Sequence, residues 1–342
     1  MILCFGAGII SSFLLFNYNK SNKKLFLVLS FLPLFILSAL RYGIGYDYLK
    51  IYVPMFNFIS NGVKVSWDIG AIWICKIINI FSNDYVYFFV ITSFLILLFT
   101  YKGILKLSSY PALCLLLFVL SGEYISSFNI IRQYIALSIF IYSLNFILEK
   151  KMLKYIACIL VASLFHNSAI VLIPIYFLCQ LKTSMMKQIA IIIICGLALP
   201  FISDLVYSIL PYFKYSSYLN TDYNAYDPSY ASLILSILSY SVMLLFYKKN
   251  KSDKKYKLFL NINLLYILFA ILSFKLIASY RLLVYFRFVQ YFGLANLTQY
   301  IEKPKNKLLY MILLVAFFSM YTLIGGYVLK WYPTEYVSIF NR

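Results

Sequence analysis

The sequence predicts an all-α protein, a polytopic transmembrane helix bundle of about twelve spans with a short interfacial helix on its outer face. Three observations predict it. Hydrophobic residues fill 63% of the 342 positions and charged residues 12%, with a mean hydropathy of +0.86, more apolar surface than a soluble core encloses. Apolar runs of spanning length recur along the whole chain. Between them lie six short basic loops, 20–24, 102–106, 150–154, 182–187, 248–257 and 303–307, whose lysines are nineteen of the 30 basic residues. A formal charge of +19 distributed in this way marks cytoplasmic loops by the positive-inside rule, and not a nucleic-acid surface.

Taken in order, the expected spans are 1–16, 25–40, 84–100, 109–121, 128–148, 153–166, 168–180, 188–204, 230–247, 258–274, 284–300 and 307–325. With these spans all six lysine loops share one side and both termini lie on the other. Met1 to Phe16 has no basic leader and no small-residue cleavage site, so it reads as the first span and not as a removed signal. The runs 109–121 and 153–180 are short and joined by tight polar turns, and re-entrant pairs satisfy the same parity as full spans. The whole chain, 1–342, reads as a single integral membrane domain with two longer outer-face loops, 41–83 and 205–229. In the first, the amphipathic stretch from Trp67 to Phe81, with Asp68 and Lys76 embedded in it, is expected to lie in the interface plane. The second is rich in Tyr, Ser and Asn, which suits sugar rings and equally an ordinary polar loop. The 34 Tyr and 31 Phe are a membrane signature, since Tyr is favoured where an apolar wall meets headgroups or a wet cavity.

Several chemistries are excluded by what the sequence lacks. The six cysteines, Cys4, Cys75, Cys114, Cys158, Cys179 and Cys195, show no CxxC spacing and accompany a single histidine, so neither a disulfide framework nor a structural zinc site is expected. No DxD, P-loop, GxSxG or HExxH occurs, and no carboxylates stand at metal-ligand spacing. The expectation is therefore an activity without metal, nucleotide or other cofactor.

Lysine dominates the basic loops, whereas Arg41, Arg132, Arg281 and Arg287 stand at or just inside helix ends, and a guanidinium is the better fork for phosphate oxygens. Arg41 opens RYGIGYDY, where Gly43 and Gly45 permit a tight turn and Asp47 and Tyr48 present polar groups. A turn alone accounts for the glycines; a turn bracketed by Arg and Asp at a membrane surface points to a ligand. Arg132, in SSFNIIRQYIALSIF, lies about one turn inside a span with Gln133 beside it, and an arginine there snorkels, pairs or faces a wet cavity. His166, in ASLFHNSAIVLIP, is the one side chain whose unperturbed pKa lies near neutrality, and it falls on the arginines' side. In ASYRLLVYFRFVQYF, Arg281 and Tyr285 share a helical face at i and i+4, with Arg287 about 9 Å deeper on another.

Together, RYGIGYDY, NIIRQYIALSI, LFHNSA and YRLLVYF, in that order across nearly the whole chain, resemble the EpsG-like and Wzy-type membrane polymerases of bacterial surface polysaccharide (O-antigen, capsule or exopolysaccharide). The resemblance implies a plasma-membrane enzyme acting at the outer face. It would move a growing chain from undecaprenyl pyrophosphate onto the non-reducing end of a new lipid-linked oligosaccharide unit, with a chain-length regulator as a further partner. By this likeness Arg41, Arg132 and Arg281 would neutralise the departing pyrophosphate and His166 would assist at the acceptor or the phosphate. Asp47 is the expected general base, with Glu123 as the second choice; Tyr48, Gln133, Tyr285 and Arg287 are expected to help bind substrate. An outer-face ligase or acyltransferase would share this arrangement. A flippase or transporter of lipid-linked sugars would instead distribute its charges through the membrane depth, whereas here they gather at one face.

Overall fold

A computed structural model describes residues 1–181, 184–209, 230–275, 277–328 and 335–341 of the chain. These residues are predominantly helical: they form sixteen α-helices with short 3-10 and π segments, and among them the only β pairing is an isolated bridge between Arg41 and Ser338. They divide into two compact units, one formed by Met1–Ile173 with Ile301–Arg342, the other by Pro174–Tyr300.

The first unit begins with α1 (Ile2–Ser21), α2 (Lys24–Ala39), α3 (Val53–Ser60), α4 (Ile69–Ile78), α5 (Val86–Leu107), α6 (Pro111–Leu120), α7 (Glu123–Ser126), α8 (Ile131–Leu148) and α9 (Met152–Phe165). The second holds α10 (Ile175–Leu178), α11 (Met185–Ile209), α12 (Tyr230–Leu245), α13 (Tyr247–Asn250), α14 (Lys254–Leu272) and α15 (Ile277–Leu297), and α16 (Pro304–Leu323) returns to the first. Of the outer-face loop expected at 205–229, residues 205–209 end α11 and 210–229 lie outside the described residues.

Helix α8 is the centre of the first unit, with fourteen of its eighteen residues buried between α5 and α9. At the rim, α16 exposes Leu308, Leu309, Ile312, Leu313, Phe317 and Met320, a continuous apolar face that only lipid satisfies. In the second unit α14 packs against α11, α12 and α15. A hydrogen-bonded chain joins three of these helices: Tyr240 donates to Gln188 at 2.6 Å, and Gln188 donates to Asn261 at 3.1 Å. Buried amides with this many donors and acceptors need such mutual pairing where no water reaches.

Each of the twelve expected runs meets helical structure, but their lengths differ. Among the described residues five helices, α1, α5, α8, α14 and α16 with its extension to Val328, are long and apolar enough to cross a bilayer. Seven further apolar helical segments of 10–17 residues, among them α2, α6, α9 and α12, are shorter. With ten residues, α6 is about 15 Å long, half of a hydrocarbon core of roughly 30 Å. The run expected at 168–180 is a 3-10 segment, Asn167–Leu172, followed by the four-residue α10. Pro174 stands between the two and cannot donate an amide to a continuous helix.

Within the first unit the lysines of the basic loops gather at one end, whereas Lys50, Lys64 and Lys76 belong to the 41–83 segment. Glu149, in the turn between α8 and α9, pairs with Lys151 at 2.7 Å and lies in the field of Lys106 and Lys154. The opposite end of α8 carries Arg132, and the eighteen residues of that helix separate the two ends by about 27 Å. Arg41 likewise follows the far end of α2 from Lys24, and His166 the far end of α9 from Lys154. The lysine loops and Arg41, Arg132 and His166 thus stand at opposite ends of the helices that join them.

Candidate active site

Asp68 precedes α4 in the N-cap position, where aspartate ordinarily accepts a hydrogen bond from its own helix. Its carboxylate makes no such bond. Instead Oδ2 accepts from Nη1 of Arg132 in an ion pair and lies 4.0 Å from Nδ1 of His166. The three side chains are largely enclosed, with 9% exposure for Asp68, 13% for His166 and 27% for Arg132. They come from three parts of the chain that share no local sequence pattern.

Packing explains the meeting. Helix α4 lies against α3, α5 and α9, and its first turn passes so close to the end of α9 that a Cβ on Gly70 would sit 2.8 Å from the Phe165 ring and 3.0 Å from the Leu164 carbonyl. Only hydrogen fits at residue 70, and that close approach carries Asp68 to His166. Gly70→Ala is accordingly expected to destabilise the protein by about 1–3 kcal/mol through overpacking, read as a lower unfolding midpoint in detergent; an unchanged midpoint would contradict this account of the contact. The remaining face of α4 exposes Ile69, Trp73 and Ile77, in the segment expected to lie along the interface.

Arg132 is the second residue of α8, where its charge meets the positive end of the helix dipole. That position is unfavourable for a cation unless an anion is near, and Asp68 supplies one. The guanidinium also lies over the Trp67 ring at 5.1 Å from its centroid, and Trp67 stacks on Phe88 at 5.7 Å. Beside them Tyr52 accepts the Ile131 amide at 2.9 Å, and burial pushes its phenol up to about 12, so it stays neutral. Three buried polar atoms around the carboxylate have no hydrogen-bond partner: Nε of Arg132, Nε2 of His166 and Nε1 of Trp67. Orphaned polar atoms gathered at one place, in an interior where such groups are nearly always satisfied, mark a place for a ligand.

Burial acts to raise the Asp68 carboxyl, but His166 and the Arg132 charge outweigh it and hold the group below its usual range. The carboxylate is therefore ionised at neutral pH. The stability it contributes is present above the ordinary carboxylate range and is lost as pH falls through the lowered value.

The other expected residues of the first unit surround the segment leading into α8. Gly45 has φ +99°, a left-handed conformation, and a Cβ there would lie 3.2 Å from Asn129 Oδ1; glycine lets the turn press against that segment. The same Asn129 oxygen accepts the Asp47 amide at 2.9 Å. Arg41 is 1% exposed, held between the rings of Phe89 and Phe128. It donates from Nη1 to the Ser38 carbonyl and to Ser93 Oγ at 3.2 Å, and lines a small cavity with Tyr124 and Ser127. Tyr48 is buried and stacks flat on Phe89 at 3.9 Å, and Gln133 is buried on α8. Glu123 is 2% exposed and accepts from the Tyr134 hydroxyl at 2.5 Å. In the second unit Arg281, Tyr285 and Arg287 stand on α15, Tyr285 buried and both arginines part-exposed.

The structure thus brings Arg132 and His166 together through a residue the sequence marked only as embedded in the interfacial stretch. Asp68 had a signal: an arginine near a membrane needs a counterion, and few carboxylates are available on the side away from the lysine loops.

Among known proteins, the model of one family, the EpsG family, matches residues 24–334 of the chain. No curated protein and no solved structure matches it.

Proposed function

This chain belongs to the EpsG family, a membership that fits a role in polysaccharide biosynthesis, and from that premise we propose that it is a polymerase of lipid-linked oligosaccharides at the outer face of the plasma membrane. The observation that carries the proposal is the paired but incompletely satisfied set of Arg132 and His166 around Asp68, at the helix ends away from the lysine loops.

The reaction transfers the growing chain from undecaprenyl pyrophosphate to the acceptor unit. A hydroxyl at the acceptor's non-reducing end gives its proton to His166 Nε2 as its oxygen attacks the anomeric carbon of the donor. The bond from that carbon to the pyrophosphate oxygen breaks, and the lipid pyrophosphate leaves with the electron pair. Pyrophosphate is a competent leaving group once its charge is met in a site sheltered from water, which is the part given to Arg132 and to the positive end of α8. The sequence points to Asp47 as base, whereas Asp68 is the carboxylate that meets both Arg132 and His166, and the imidazole takes the proton. Arg41, Tyr48 and Gln133 then act by shaping the segment behind Arg132. Arg281, Tyr285 and Arg287 are assigned to substrate binding on the strength of their sequence pattern.

Purified protein in lipid nanodiscs, given lipid-linked repeat units and no nucleotide, is expected to produce a ladder of products on a gel. A single shifted band would be the product of a ligase. Unaltered substrate, with lipid-linked sugar carried across a vesicle membrane, would identify a transporter and end the polymerase reading.

A further inference from the structure

The Asp68 carboxylate stands between a guanidinium and an imidazole and takes only one edge of each. On Arg132 it engages Nη1, while Nε, on the other side of the guanidinium, has no partner. On His166 it faces Nδ1, while Nε2 has none. A guanidinium fixed through Nη1 still offers its Nε edge to a planar oxyanion, and an imidazole whose proton is drawn to Nδ1 keeps its lone pair on Nε2. One acidic group therefore sets the free edges of both a cation and a base.

We propose that Asp68 is the positioning residue of this site, holding Arg132 so that its Nε edge receives the leaving pyrophosphate and holding His166 in the Nδ1–H tautomer so that Nε2 receives the acceptor's proton. The carboxylate touches neither substrate nor product. It acts through the two side chains that do, which is why it forgoes capping its own helix. The geometry also orders the two events: the same anion that opposes the Arg132 charge before substrate binds stabilises the imidazolium that forms as the hydroxyl is deprotonated. This inference rests on the polymerase reading for its turnover assay and is independent of it in its spectroscopic one.

His166 is the only histidine in the chain, so histidine labelled with nitrogen-15 reports on one ring. At a pH where that ring is neutral, nuclear magnetic resonance of the full chain in nanodiscs is expected to show the proton on Nδ1 in the natural protein. Asp68→Asn is expected to lose that preference, and Asp68→Glu to regain part of it. In the ladder assay Asp68→Asn is expected to lower kcat about 10–100-fold, with KM for the lipid-linked unit changed by less than about threefold, and Asp68→Glu to recover activity. A natural protein that carries the proton on Nε2 overturns the proposal even where Asp68→Asn fails to fold. An Asp68→Asn protein with natural turnover overturns it as well. A natural protein with the Nδ1–H tautomer and no ladder would overturn the polymerase reading while leaving the Asp68 contact standing.

Discussion

Arg132→Ala is expected to reduce polymer formation about 10²–10³-fold, the loss that follows when one preorganised donor to a developing negative charge is removed. Arg132→Lys is expected to fail by nearly as much. A lysine keeps the charge, but its ammonium has no second edge, and a single group cannot pair with Asp68 and present a fork to a pyrophosphate oxygen at once. Removal of the guanidinium also strands the enclosed Asp68 carboxylate, which is a stability effect and not a catalytic one. The double variant Asp68→Asn with Arg132→Ala separates the two, because it removes the stranded charge along with its partner. Its unfolding midpoint is expected to return toward that of the natural protein while its activity stays as low as that of Arg132→Ala. Recovery of activity in the double variant would show that Arg132 serves only to neutralise Asp68. Ladder formation at the natural rate by Arg132→Ala would remove this residue from the reaction.

The helical class and the placement of apolar runs were legible in the sequence because lipid demands them locally: a backbone in hydrocarbon must satisfy its own hydrogen bonds, and a helix does so within one continuous run. Arg132 and His166 were legible for the same local reason, as polar groups where apolar ones are the rule. What the sequence does not carry is which of these groups meet. Asp68 and Arg132 stand 64 residues apart in the chain, and Asp68 reaches His166, further on still, because Gly70 lets α4 approach the end of α9. Arg41 reads in the sequence like Arg132, an arginine at a helix end. Both leave Nε without a partner, but the structure gives them different surroundings, Arg41 between two phenylalanine rings with serine and carbonyl partners, Arg132 beside a carboxylate. Aromatic faces accept a guanidinium well enough to enclose it, and no local pattern announces that choice. The break at Asn167–Leu172 shows the complementary limit. Its composition is that of a span, but the extended backbone at His166 and the proline at 174 leave a 3-10 segment in place of a continuous α-helix.

That extended backbone matters for the second large effect. His166 has φ −154° and ψ 111°, and so leaves the axis of α9 at the point where its ring reaches Asp68. His166→Ala keeps this backbone accessible, since alanine adopts extended angles freely, and removes only the ring. Turnover is expected to fall about 10²–10⁴-fold, the range for a lost general base. The space left beside Asp68 has the shape of an imidazole, so added imidazole is expected to restore part of the activity in His166→Ala and none in Arg132→Ala. His166→Asn tests the alternative that residue 166 serves only as a hydrogen-bond donor to Asp68, because its amide can donate there and cannot take a proton. Natural turnover in His166→Asn would move the proton to another acceptor, and Asp47, on the turn held by Asn129, would be next to test. Failure of both His166 variants alongside an intact fold would place the proton on the imidazole, and rescue by free imidazole would distinguish that role from simple packing.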